Sequence, residues 1–142
     1  LKEIHRVLKP GGRAIISTPN KKMTLTRNPW HVREYFAPEL EGLCKSIFSK
    51  VEANGIAGND KVMDYHERNR QSVKKITRFD LFNLQYRLPA PLLRIPYEFL
   101  NRVNRNKLDQ DDNALVKSIT VADYFVNDNA AESLDLYYTL EK

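Results

Sequence analysis

The chain has 142 residues, 42% of them hydrophobic, with 23 lysines and arginines against 18 carboxylates and a net charge of +5. That is about one domain's length with enough apolar material to bury a core, and the single cysteine, Cys44, excludes an internal disulfide and any multi-cysteine zinc site. With that single cysteine a reducing cytoplasm is the expected setting, and no apolar run approaches the ~18 residues of a membrane span and no signal-peptide pattern opens the chain.

The first element is the end of an amphipathic helix. Leu1, Ile4, Val7 and Leu8 recur at helical spacing, with Lys2, Glu3, His5, Arg6 and Lys9 on the other side. Pro10 cannot continue the helix, and Gly11-Gly12 supply the positive φ of a helix exit. Arg13 then leads into Ala14-Ile15-Ile16, a continuous apolar run of the kind seen in a parallel strand covered on both faces. Ser17-Thr18-Pro19-Asn20 ends it, since proline removes a ladder donor and asparagine favours a turn.

Lys21–Trp30 carries no period and reads as a loop. In open α/β sheets ligands sit beyond the carboxyl ends of the parallel strands, which puts Asn20 and this loop on the functional rim. Trp30, His31, Arg33 and Tyr35 follow, offering a stacking surface, an imidazole, a fixed positive charge and a phenol within six residues. The plain alternative is that Trp30 packs and His31 is a hydrogen-bonded structural residue.

Pro38–Phe48 is the cleanest helix. Leu40, Leu43, Cys44, Ile47 and Phe48 form one apolar stripe. Pro38 suits the first helical position and Ala37 is the expected, poor cap. Cys44 lies on the stripe, as a small core residue does. Lys50–Asn59 has a weak pattern: Val51, Ala53 and Ile56 are interrupted by Asn54 and Gly55.

Beyond Asp60 the pattern is helical. Val62, Tyr65, Val73, Ile76, Phe79, Leu84 and Leu88 suggest one long or broken helix, which Pro89-Ala90-Pro91 breaks. Leu92, Leu93, Tyr97, Phe99, Leu100 and Val103 suggest a second, kinked or restarted at Pro96. Arginines and lysines fill the polar faces of both. Leu108–Ala114 is acidic and loop-like, Ile119–Val126 suits a strand or an extended lead-in, and Asn127-Asp128-Asn129 signals a turn. Ser133–Glu141 alternates, with Leu134, Leu136, Tyr138 and Leu140 on one face, and reads as a final antiparallel strand.

Charge is unevenly placed. Residues 1–59 hold 10 basic against 5 acidic side chains, residues 60–107 hold 11 against 5, and residues 108–142 hold 2 against 8. A solvated surface with some attraction between tail and body accounts for this; the sharper reading is attraction of an anionic substrate or membrane surface.

Arg6–Gly12 (RVLKPGG), Thr18–Asn20 (TPN) and Asn28–Leu40, with a weaker echo at Leu134–Lys142, together resemble the C-terminal half of class I S-adenosylmethionine-dependent methyltransferases. The resemblance implies an α/β fold: a partial Rossmann-like methyltransferase sheet made of the fifth, sixth and seventh strands, with a helical insertion between the last two. Lys50–Asn59 would be the sixth strand. Residues 1–59 would then be core, 60–107 a helical lid over the acceptor, and 108–142 the return to the core with the final antiparallel strand beside the fifth.

The implied site lies on the acceptor side, with Asn20, Trp30, Arg33 and Tyr35 binding substrate and His31 as a candidate general base. The acceptor class is a small molecule, a sugar or a lipid-linked precursor. The implied cofactor is S-adenosylmethionine, but the family's glycine-rich turn after the first strand and the acidic residue ending the second are both missing. The chain alone is therefore expected not to bind the cofactor, and no cofactor-binding residue is assigned. His5, His31 and His66 are scattered without metal-ligand spacing, so no metal is expected either.

Leu1 in mid-helix suggests a fragment. The family's fourth strand would flank the fifth, so Ala14–Ser17 should present an unpaired edge, open to a dimer, a swapped assembly or a separately supplied N-terminal half. Two other readings stand beside the enzyme: a non-catalytic assembly or binding module built on the same fold, and a basic peripheral membrane-binding domain. No nucleic-acid motif is present, and no nucleic acid is expected as a partner.

Overall fold

A computed structural model describes residues 1–78, 84–111 and 113–142. Phe79, assigned above to the first long helix, and Asp112, within the expected acidic loop, lie outside the described residues. The chain forms two compact units, one of Leu1–Thr24, Arg33–Gly58 and Tyr124–Lys142, the other of Leu25–Val32 and Asn59–Asp123.

The first unit is a four-stranded antiparallel sheet with two helices. Helix α1 (Lys2–Val7) ends at Leu8, and Gly11 alone takes a positive φ, at 71°. The turn is tied to the far end of the chain: Gly11 N–H donates to Lys142 O (3.2 Å), Lys142 N–H donates to Gly12 O (3.1 Å), and Lys142 Nζ donates to Leu8 O (2.8 Å). That last bond satisfies a carbonyl left over at the end of α1.

Strands β1 (Arg13–Pro19), β2 (Lys50–Gly58), β3 (Tyr124–Asn127) and β4 (Asp135–Glu141) lie in the order β1-β4-β2-β3. β4 runs antiparallel to both β1 and β2, with Ala14 opposite Leu140, Ser17 opposite Tyr137 and Val51 opposite Leu140. β1 and β2 are therefore parallel to one another, separated by β4. Every second residue of β4 points inward: Leu136, Tyr138 and Leu140 are completely buried against Leu40, Cys44 and Phe48. Among the described residues β1 pairs on one side only. The expectation that β1 is covered on both faces fails, because Ile15 is 62% exposed while Ala14 and Ile16 turn toward the core.

Helix α2 (Ala37–Lys45) supplies the cover for the sheet. Its cap is Phe36, not Ala37, and Pro38 stands second. In place of a serine cap, the Glu39 carboxylate reaches back to accept the Phe36 N–H at 3.1 Å. Burial pushes the Cys44 thiol up from its ordinary value, consistent with an inert core residue.

Tyr138 donates its hydroxyl to Ala37 O at 2.9 Å, joining the middle of the sheet to the start of α2. Burial, then the nearby Glu41 and Cys44, pushes its phenol up to about 12. A raised phenol stabilises the fold fully below the unfolded value of about 10 and loses that stabilisation as pH rises toward the folded value. Unfolding midpoints measured in urea should therefore fall between pH 10 and 12, and Tyr138→Phe should flatten that fall while costing about 1 kcal/mol at neutral pH for the lost hydrogen bond.

The second unit is helical: α3 (Asp60–Thr77), α4 (Leu84–Arg87), α5 (Ala90–Asp111) and α6 (Asn113–Ser118). α5 runs through Pro96 without restarting, which leaves the kink and removes the restart from the two expectations. Pro91 falls in its first turn, where a missing N–H costs nothing. Leu108–Ala114 was expected as a loop, yet Leu108–Asp111 complete α5 and Asn113 begins α6. Aspartate disfavours helix only mildly, and no glycine or proline interrupts the stretch.

Buried Asn104 locks α5 to α3, accepting from Ser72 Oγ at 2.6 Å and donating to Asn69 Oδ1 at 2.8 Å. The ends of the unit are joined by Asp123, which accepts from Thr120 N–H (2.7 Å), Asn59 Nδ2 (2.8 Å) and Lys61 Nζ (3.0 Å). The Thr120 amide first, then Lys61 and Asn59, hold this carboxyl far below the usual range. Asn59 in turn caps α3 by accepting the Val62 N–H at 3.3 Å.

Candidate functional site

At the carboxyl end of β1 the chain turns sharply, and Asn20 makes the turn. It is 1% exposed, and its Nδ2 donates to Ser133 O at 2.8 Å and to Ala130 O and Ala131 O at 3.2 Å. Its Oδ1 accepts the Lys22 N–H at 3.1 Å, so no polar atom of the side chain is left for a ligand. What Asn20 contributes to the rim is position: it anchors the strand end against the 3-10 turn Ala130–Glu132 that leads into β4.

Tyr35 lies directly alongside. Asn20 and Tyr35 form an isolated parallel bridge, with Lys21 N–H donating to Tyr35 O at 3.0 Å. The Arg33 guanidinium stacks 4.6 Å from the Tyr35 ring centroid, a cation–π contact that orients both side chains. Asn20, Arg33 and Tyr35 are thus brought together in the sheet unit.

Tyr35 also borders an open groove of about 410 Å³ between α1, β1 and α2. Ile16, Leu40, Leu43 and Ile47 make its walls apolar, while Ser17 and Thr18 set hydroxyls near the end of the strand. The groove suits an apolar or ring-bearing group with a few polar substituents, and among the described residues no trio of His, Cys, Asp or Glu could hold a metal ion.

Trp30 and His31 belong to the helical unit. Asn28 organises them: its Oδ1 accepts the Trp30 N–H at 3.0 Å, its backbone carbonyl accepts the His31 N–H at 3.1 Å, and its Nδ2 lies 3.0 Å from His31 Nε2. Because Oδ1 is committed to an N–H, the amide nitrogen faces the imidazole and Nε2 accepts. That lone pair is the one a general base would use, and here it is spent on Asn28. Trp30 is 53% exposed, with Arg94 lying 4.1 Å over its ring. Arg27 donates to Leu88 O at 3.0 Å, fixing the same stretch to the start of α5.

In comparisons with family models, curated proteins and solved structures, nothing matches this chain. The residues must therefore carry any functional reading by themselves. Of those that matter, Ser17, Thr18 and Asn28 were not singled out from the sequence. Asn28 had a readable signal, since Asn-Pro is a strong turn initiator. Ser17 and Thr18 were visible only as the end of a strand.

Proposed function

We propose that this chain is the C-terminal part of a class I S-adenosylmethionine-dependent methyltransferase, acting when complete on a small-molecule, sugar or lipid-linked acceptor. One observation carries the reading: the strand that follows RVLKPGG and closes in TPN pairs antiparallel, over seven residues, with the last strand of the chain. That is the neighbour the resemblance assigns to the fifth strand. The helical segment between β2 and β4 agrees with an insertion before the seventh strand, although β3 is an addition to that plan. On this reading the groove beside Tyr35 faces the acceptor, Asn20 and Arg33 hold its rim in place, and His31 orients the Asn28–His31 turn.

The residues described do not fit the cofactor itself. Gly11 and Gly12 precede β1 instead of following a strand, and a Cβ on Gly12 would meet Lys9 O at 2.8 Å. At Gly55 the space a Cβ would fill is taken by Ser133. Neither forms a cradle for the methionine end of S-adenosylmethionine, so no step of a methyl transfer is assigned to these residues.

A second reading, an assembly module on the same fold, is favoured by the open edge of β1, which leaves backbone donors and acceptors available to a second copy or a separately supplied half. The coding sequence immediately upstream of the Leu1 codon separates the two. The methyltransferase reading expects an in-frame segment with a glycine-rich turn after its first strand and an acidic residue ending its second. A start codon in place of such a segment contradicts it and leaves the assembly module.

A further inference from the structure

We propose that the outward face of α5 docks on an anionic lipid surface. Leu92, Ile95, Phe99 and Val103 fall at i, i+3, i+7 and i+11, one continuous stripe about 16 Å long. All four face solvent, at 63%, 80%, 67% and 46% exposure, and Leu100 beside them is 43% exposed. The opposite side of the helix does the packing, through Leu93 and Asn104. An apolar stripe left outside while another face is buried marks an interaction surface, because stray exposed leucines do not line up at helical spacing.

Charge decides what the stripe meets. Arg102 borders the stripe, and along the length of the stripe and one turn beyond α5 carries Arg94, Arg102, Arg105 and Lys107 against Glu98, with Asp109 and Asp111 only at its far end. α3 is different, since its own carboxylates answer its arginines: Asp64 pairs with Arg68 at 2.9 Å and Glu67 with Arg70 at 2.6 Å. A second copy of α5 laid parallel to the first would bring like-charged margins together. A lipid surface accepts aliphatic and phenyl side chains among its acyl chains, while arginines alongside reach up to anionic headgroups. Nucleic acid would use the arginines and leave the stripe in water. The proposal is independent of methyl transfer.

Co-sedimentation of the 142-residue chain with phosphatidylglycerol–phosphatidylcholine vesicles, and with pure phosphatidylcholine vesicles, tests it. The expected result is binding to the anionic vesicles alone, weakening as salt is raised on the unmodified protein. Phe99→Asp and Ile95→Asp should each lower affinity about tenfold or more, and Arg102→Glu with Arg105→Glu should lower it comparably. All four positions are exposed, and circular dichroism checks that each variant keeps its helices. Phe99→Trp should shift its emission to the blue when anionic vesicles are added. Equal binding to neutral vesicles, anionic binding that survives Phe99→Asp, or RNA binding without vesicle binding would each overturn the proposal.

Discussion

Gly55→Ala is expected to destabilise the sheet unit by about 3 kcal/mol, the upper range for an overpacked site. A Cβ at this position would stand 2.2 Å from the Cβ and 2.3 Å from the Oγ of Ser133, and 2.9 Å from Asp135 O. These are not the yielding ends of long side chains. Ser133 is fully buried, its Oγ donates to Asn129 O at 2.9 Å, and the next residue donates its N–H to Ile56 O at 2.9 Å. The strand and the turn preceding β4 are thus pinned together where the methyl must go. Gly42→Ala is the control: it lies in α2 with nothing within 4 Å of the added atom, and should stabilise by up to about 1 kcal/mol through helix propensity. Urea midpoints measure both, and Ser133→Gly should recover much of the loss in the Gly55→Ala background. Equal midpoints for Gly55→Ala and the parent would remove the close approach from the account.

The other large effect belongs to Asn20. Asn20→Ala takes one amide away from three carbonyls, of Ala130, Ala131 and Ser133, in a site that is 1% exposed. Ala130 O keeps the Ser133 N–H at 3.3 Å, but the carbonyls of Ala131 and Ser133 lose this donor; leaving a buried acceptor without one costs about 1–3 kcal/mol, and the cavity adds to it. Asn20→Asp preserves shape but turns an acceptor toward those carbonyls, so it should be at least as damaging as alanine. That order distinguishes a donor role from packing, and chemical denaturation reads it directly. Tolerance of aspartate would contradict the assignment of Asn20 as the pin of the strand end.

Much of the sheet was legible because burial there repeats with the period of the element. β4 alternates so cleanly that Leu136, Tyr138 and Leu140 are all fully enclosed; α2 delivers Leu40 and Cys44 to them, and Phe48 comes from the turn after α2, which ends at Lys45 and not at Phe48 as expected. β2 was hard to see for a reason now visible. Gly55, a poor strand residue in isolation, is required by the closeness of Ser133, and pairing with both β3 and β4 outweighs its propensity. α5 hid its length behind Pro96 and a run of acids, neither of which ended it.

The site was half legible for a similar reason. Clustering of Trp30, His31, Arg33 and Tyr35 along the chain suggested a single chemical centre. Their partners, however, are set by tertiary contacts the sequence does not announce: Arg94 covers the Trp30 ring from 64 positions away, while Tyr35 bridges back to Asn20. The expectation of an open β1 edge came from the resemblance, and it could be compared with the pairing because register is explicit in a sheet.

The central claim is that these residues form the acceptor-side remainder of a sheet whose cofactor-binding half lies elsewhere. Calorimetric titration of S-adenosylmethionine into the 142-residue chain, alone and joined to any in-frame segment encoded upstream of it, tests that claim most directly. The account predicts no micromolar binding to the chain alone and micromolar binding to the joined protein. Micromolar binding by the chain alone, or none by the joined protein, would contradict it.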